Sequence, residues 1–184
     1  MAQIAVDFLL GPSWTSRGIA RYGVQTGGWS HCANVLKDGR YLDARSDQLK
    51  RVDPHCEVPV IVPSGVHIRD PQSEKWVRKQ RATLEVTDAE YADWEANLRA
   101  KITTAYGRWD IINILLGRPG HVAGQWICSA FFINGVQHVS RSWTRGHPGY
   151  VPYPLSVDAH EISPDMAHMI IEVAGFTFGP EEIA

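Results

Sequence analysis

The chain has 184 residues, of which 44% are hydrophobic and 21% charged, with a formal net charge of -2. That length suits one domain with its own core, expected to span residues 1–184. The near-neutral balance, with a sequence pI of about 6.4, gives no electrostatic ground for a nucleic-acid or anionic-membrane partner. No apolar run reaches the roughly 20 residues of a transmembrane helix. The first residues lack the charged start and small-residue cleavage site of a signal peptide. Three cysteines are an odd number without the spacing of a disulfide framework. The expected location is therefore a reducing cytoplasm. A phage or bacterial origin is compatible with this, and release by lysis or a dedicated machine stays open.

Residues 4–10 read as a strand closed by Gly11-Pro12. A short helix fits residues 13–22, and Thr26-Gly27-Gly28 is a loop. Residues 29–36 form the next strand, and Asp38-Gly39 signals a hairpin returning through Tyr41-Leu42-Asp43-Ala44. A second β pair is expected between residues 57–62, an edge strand because of Pro59, and 66–69, with its turn at Pro63-Ser64-Gly65. A further strand covers residues 81–86. Thr87 and Glu90 then spell a capping box, and Tyr91, Trp94, Leu98 and Ile102 make one apolar helical stripe. Residues 111–116 form a helical or buried segment ended by Gly117-Arg118-Pro119-Gly120. A Pro-rich span at residues 151–154 crosses the surface. Ser163-Pro164 caps a last short helix carrying Met166, Met169, Ile170 and Val173, stopped by Gly175. The pattern is α+β: an antiparallel sheet from the first half, packed against helices from the second.

Between these elements lies Gln125-Trp126-Ile127-Cys128-Ser129-Ala130-Phe131-Phe132-Ile133. Apolar side chains occupy nearly every side of its first two turns, as in a buried central helix. Cys128 stands at the N-terminal end of that helix. There unpaired N–H groups and the helix dipole lower a thiol pKa and offer donors to an oxyanion. A thiol nucleophile needs a base, and the base an orienting group. Of eight histidines, His31 differs in opening an apolar strand directly after a Gly-rich loop. A two-residue turn at Asp38-Gly39 sets Asp43 opposite Asn34, three positions from His31. A bulge or a wider turn makes His31 and Asp43 diagonal neighbours with touching side chains.

Ser30-His31, the short apolar strand, Asp38-Gly39 and Tyr41-Leu42-Asp43-Ala44 resemble the N-terminal half of the circularly permuted NlpC/P60 (papain-like) proteins. The similarity is to their YiiX-like branch, in which the histidine precedes the cysteine. Tyr106-Gly107-Arg108-Trp109-Asp110 followed by Trp126-Ile127-Cys128-Ser129 resembles the second half of that pattern. The resemblance covers roughly residues 30 to 132 and departs at two positions, Ala130 and Asp43, where the family usually has Glu. It implies a permuted papain-like fold, its antiparallel sheet packed against the cysteine-bearing helix. It also implies Cys128 as nucleophile, His31 as general base and acid, and Asp43 as the orienting acid. The implied activity is a cysteine amidase or peptidase working through a thioester, on peptidoglycan peptides or another acyl amide. A thioesterase or acyltransferase of the lecithin-retinol acyltransferase-like type, and a non-catalytic module retaining the fold, are the alternatives.

The remaining residues have plainer readings. Strand alternation puts Cys32 on the opposite face from His31, as packing. The dipeptides His31-Cys32 and His55-Cys56 lack the close spacing of zinc ligands, so neither metal nor cofactor is expected. Asp110 reads as a structural cap near the site. Arg141, Arg145 and His147 read as a solvated loop.

Overall fold

A computed structural model describes the chain except residues 23–27, 47–48, 52–59, 63, 74, 116–121, 144, 151–157 and 160–161. The strands are β1 (Ala2–Leu10), β2 (His31–Val35), β3 (Tyr41–Arg45), β4 (Leu49–Arg51), β5 (Val60–Val62), β6 (Gly65–Arg69), β7 (Arg78–Val86), β8 (Ala105–Tyr106), β9 (Gln125–Trp126) and β10 (Thr177–Ile183). The helices are α1 (Trp14–Tyr22), α2 (Asp88–Arg99), α3 (Arg108–Leu115), α4 (Cys128–Ser140) and α5 (Pro164–Val173). The main sheet runs β10-β7-β1-β2-β3-β6, antiparallel throughout. The fold is α+β, as its sequence pattern requires. None of the described helices is long and apolar enough to cross a membrane.

Strand β1 sits at the centre of the sheet and is covered on both faces. One face carries Ile4, Val6 and Phe8, joined by Cys32, Leu42, Ala44, Val66, Ala82 and Leu84 from neighbouring strands. Against it lie Trp94 and Leu98 of α2 and the Phe131, Phe132, Ile133, Val136 and Val139 side chains of α4. The other face holds a smaller cluster of Leu9, Ala33, Val35 and Tyr41. Within it Asp7 is fully buried, accepting from Tyr41 Oη at 2.6 Å and from Arg81 Nε and Nη2 at 2.7 and 2.8 Å. A buried carboxylate is tolerable there because a guanidinium answers its charge and both oxygens are hydrogen-bonded.

Local sequence signals set the helix ends. Thr87 Oγ1 accepts from Glu90 N at 3.2 Å while Glu90 Oε2 accepts from Thr87 N at 2.8 Å, the expected capping box. Ser163 Oγ accepts from Met166 N at 3.2 Å, with Pro164 opening α5.

Three expectations are corrected. Residues 60–62 and 66–69 do not pair with each other: β5 pairs with β4, and β6 with β3. The open edge of β3 lies over the main core, and β6 fills it, burying Val66 there. That gain outweighs the nearness of β5 in sequence. β10 was not expected past Gly175, because Thr177–Ile183 has no apolar alternation. It is an edge strand on β7, with a register shift between Phe178 and Glu181, and the Arg78–Glu181 and Lys79–Glu182 ion pairs accompany it. β7 starts at Arg78, three residues before its expected start at residue 81. The loops expected at 26–27, 117–120 and 151–154, and residues 57–59 of the expected edge strand, lie outside the described residues.

Gly135 lets α4 approach α2 closely, since a Cβ there would stand 2.8 Å from Leu98 Cδ2 and 3.0 Å from Trp94 Nε1. Alanine would add helix propensity worth about 1 kcal/mol. Overpacking against two fully buried side chains should exceed it, costing about 1–3 kcal/mol. Urea unfolding should therefore give a lower midpoint for Gly135→Ala, and the same substitution should cost less in a Leu98→Ala background than in the wild type. A raised midpoint in the single variant would mean that the helices can part without cost.

Candidate functional site

The β2–β3 hairpin brings His31 and Asp43 together. Leu36 N donates to Arg40 O at 2.9 Å and Gly39 N to Leu36 O at 2.8 Å, so the loop is residues 37–39. Gly39 has φ +82°, the left-handed conformation such a loop needs at its last position. This wider turn moves the register by one residue from the two-residue case. Asn34 faces Leu42 and Val35 faces Tyr41. Carried back along the strands, the same register sets Asp43 diagonally across from His31. There His31 Nε2 lies 2.8 Å from Asp43 Oδ2.

The second oxygen of Asp43 is also engaged. Arg69 Nε donates to Asp43 Oδ1 at 2.7 Å, and Arg69 Nη2 donates to Gly65 O at 3.1 Å. Strand β6 delivers Arg69, because its pairing puts His67 opposite Asp43 and Arg69 on the diagonal. The Asp43 side chain is 0% exposed and that of Arg69 3%, so both charges are out of water.

Helix α4 supplies the thiol. Its N-cap, Ile127, has no side-chain cap, and Phe131 N to Ile127 O at 2.9 Å is the first bond of the helix. The N–H groups of Cys128, Ser129 and Ala130 therefore have no carbonyl partner within the helix. The Cys128 sulfur lies beside the His31 ring and Cys32, near enough for each to act on its ionisation. With Nε2 committed to Asp43, Nδ1 is the imidazole nitrogen left for sulfur. Ser129 Oγ donates to Ile162 O, pinning the first turn of α4 to the residue before the α5 cap. Ala130 is fully buried in the apolar core, where a glutamate would need a charged partner.

The electrostatics follow from this packing. The Cys128 pKa is held well below the ordinary thiol range, first by the hydrogen bond from Cys32 and then, against the cost of burial, by the charge of His31. Burial alone would lower the His31 pKa, but the Cys128 thiolate and the hydrogen bond to Asp43 outweigh it and push the value up to about 9. Burial works against the Asp43 carboxylate too, and His31 and Arg69 together hold its pKa below the usual range. Cys32 is driven the other way, by burial and by the neighbouring thiolate, and stays protonated. Both shifts favour the thiolate–imidazolium form of the pair.

Two backbone segments meet at Gly65. Val66 N donates to Thr104 O at 3.0 Å and Thr103 N to Val66 O at 2.9 Å, tying residues 103–104 to the start of β6. The chain then enters β8, which pairs in parallel with β9, and β9 leads into Cys128. Gly65 itself has φ +127°, and a Cβ there would stand 2.3 Å from Thr104 O.

Cys128, His31 and Asp43 thus converge from α4, β2 and β3. Arg69 and Cys32 complete the group and were not singled out for it. Arg69 was hidden because β6 was assigned to the wrong neighbour. Cys32 was assigned to packing by strand alternation; it is buried on the core face and also meets the Cys128 sulfur. Asp110 lies in α3, and its side chain is outside the described residues, as are His55, Cys56, His121 and His160. Other histidines are engaged elsewhere: His138 with Asp93, His147 with Glu90 and Trp143, and His168 with Gln80. Among the described residues no group of three His, Cys, Asp or Glu side chains is placed to hold a metal ion.

Iodoacetamide should alkylate Cys128 rapidly near about pH 6, well ahead of Cys32. Cys32→Ala and His31→Ala should each move the acid limb of that reaction upward, since each removes a group that stabilises the thiolate. Mass spectrometry of labelled peptides against pH reads this directly. Labelling only above about pH 8 would mean an ordinary buried thiol.

Compared with known proteins, the chain matches no family model and no curated protein.

Proposed function

We propose that the protein is a cysteine hydrolase, an amidase or peptidase with a permuted papain-like (NlpC/P60) arrangement, acting on a peptide or other acyl amide. The observation that carries this reading is the placing of the His31 ring between Cys128 and the buried Asp43 carboxylate, with Nε2 2.8 Å from Oδ2. The resemblance of residues 30 to 132 to the permuted family agrees with it and favours peptidoglycan peptides as the substrate class.

The thiolate attacks the carbonyl carbon, and the carbonyl π electrons move to oxygen. The N–H groups of Cys128 and Ser129 at the start of α4 are the donors available to that oxyanion. Collapse of the tetrahedral intermediate breaks the C–N bond, and the His31 imidazolium gives its Nδ1 proton to the leaving amine. A thioester and a neutral imidazole remain. Water, losing its proton to Nδ1, attacks the thioester and releases the acid, which restores thiolate and imidazolium. Asp43 holds the Nε2–H throughout and keeps Nδ1 turned to sulfur.

The pH profile has a defined sign. Below the depressed Cys128 pKa the nucleophile is a neutral thiol and turnover falls. Above about 9 His31 has lost the proton that the leaving amine needs, and turnover falls again. The kcat/KM for a peptide amide should be bell-shaped between those limits, while alkylation of Cys128 keeps its rate above the upper one. Asp43→Asn should cut kcat by up to roughly 10⁴-fold and lower the unfolding midpoint as well, since it leaves the buried Arg69 guanidinium without its counter-charge. Mass spectrometry after mixing with muropeptides, and in parallel with fatty-acyl thioesters, should find an acyl adduct on Cys128 from the peptide. An adduct from the thioester alone would favour the acyltransferase reading, and none from any acyl donor a non-catalytic module.

A further inference from the structure

We propose that Arg69 is a positioning residue of this site, holding the Asp43 carboxylate ionised and turned so that one oxygen faces His31. The inference rests on the hydrolase reading and concerns a residue that the Cys-His-acid pattern does not include. Arg69 acts through the carboxylate: its Nε sits on Oδ1 at 2.7 Å while Oδ2 faces His31 Nε2 at 2.8 Å. Each oxygen has its own partner, so rotation of the carboxyl group would break both contacts. The guanidinium is itself held at a second point, Nη2 to Gly65 O at 3.1 Å. Lysine could keep the charge there but not both contacts.

Charge supplies the second half of the argument. From α4 across β2 and β3 to β6, thiolate, imidazolium, carboxylate and guanidinium alternate in sign and sum to zero. Without Arg69 the other three carry a net negative charge in a site with little water. Other groups near Asp43 do not replace it. Cys32 on β2 and Tyr41 on β3 are neutral, their pKa values raised by burial. His67, opposite on β6, is kept neutral by its own partial burial and by Arg69. Arg45, two residues along β3, is a cation but partly exposed, so solvent and salt screen it more than Arg69.

The test is the pH dependence of iodoacetamide alkylation at Cys128 in the wild type, Arg69→Met, Arg69→Gln and Arg69→Lys, with folding followed by circular dichroism. Removing the charge should raise the acid limb by about one pH unit or more, because an anion in a net-negative site takes up a proton more readily. Arg69→Lys should bring the limb most of the way back. A purely structural role would lower the reactive fraction and leave the limb where it was, and that result in a folded Met or Gln variant overturns the proposal. A measurement on the unaltered protein stands beside these. The Asp43 carboxyl carbon, followed by NMR, should stay ionised down to below about pH 4, and a midpoint above that value overturns the proposal as well. A wild-type Cys128 that reacts only above about pH 8 would instead sink the hydrolase reading, and the role of Arg69 with it.

Discussion

The carboxylate of Asp43 is the constraint around which the site is arranged. A fully buried anion is expensive unless its charge is answered and its oxygens are bonded. Here one oxygen faces an imidazole from β2 and the other a guanidinium from β6, so the carboxylate ties three adjacent strands through side chains as well as through backbone. The same sheet solves the problem again at Asp7, whose partners come from β3 and β7. The two solutions differ in one respect. Asp7 is answered by a single arginine and a phenol, and both of its oxygens are taken up by them. Asp43 instead bonds a histidine, whose ring in turn faces a thiol.

Helix α4 makes that chain of charges consequential. Its side chains are buried on almost every side, since the sheet, α2 and α5 all pack against it. A helix so enclosed is held by packing on several sides, which positions the thiol at its first residue against the strands. Ser129 reinforces this, spending its hydroxyl on the backbone before α5 rather than on the helix's own first turn. The first-turn amides are left for whatever negative charge arises beside the sulfur.

Much of this arrangement was legible in the residues. The apolar run after Cys128, the capping box at Thr87 and the Asp38-Gly39 turn are local signals, and each produced the element it announced. The three side chains that converge were legible as well, because histidine at a strand start and aspartate across a tight turn are sequence neighbours once the strands pair. Their contact needed a register that the sequence left open, and a single left-handed glycine in a three-residue loop decided it. What local pattern could not reveal was long-range. β6 pairs with β3 because that edge lies over the core, a fact of tertiary packing, and Arg69 entered the site with it. Cys32 meets the Cys128 sulfur because the start of α4 is held against β2, which strand alternation does not report.

Gly65 has a consequence of a different kind. Its carbonyl anchors the arginine on the acid side, and its missing side chain admits the backbone crossing that leads toward the nucleophile. This close backbone approach is a tie between the two halves of the site beyond the packing of α4 on the sheet. A methyl group inserted there would act as a shim, spreading both halves together while leaving every reactive side chain unaltered. A residue with no side chain to offer thus takes part in both halves of the site through its backbone alone.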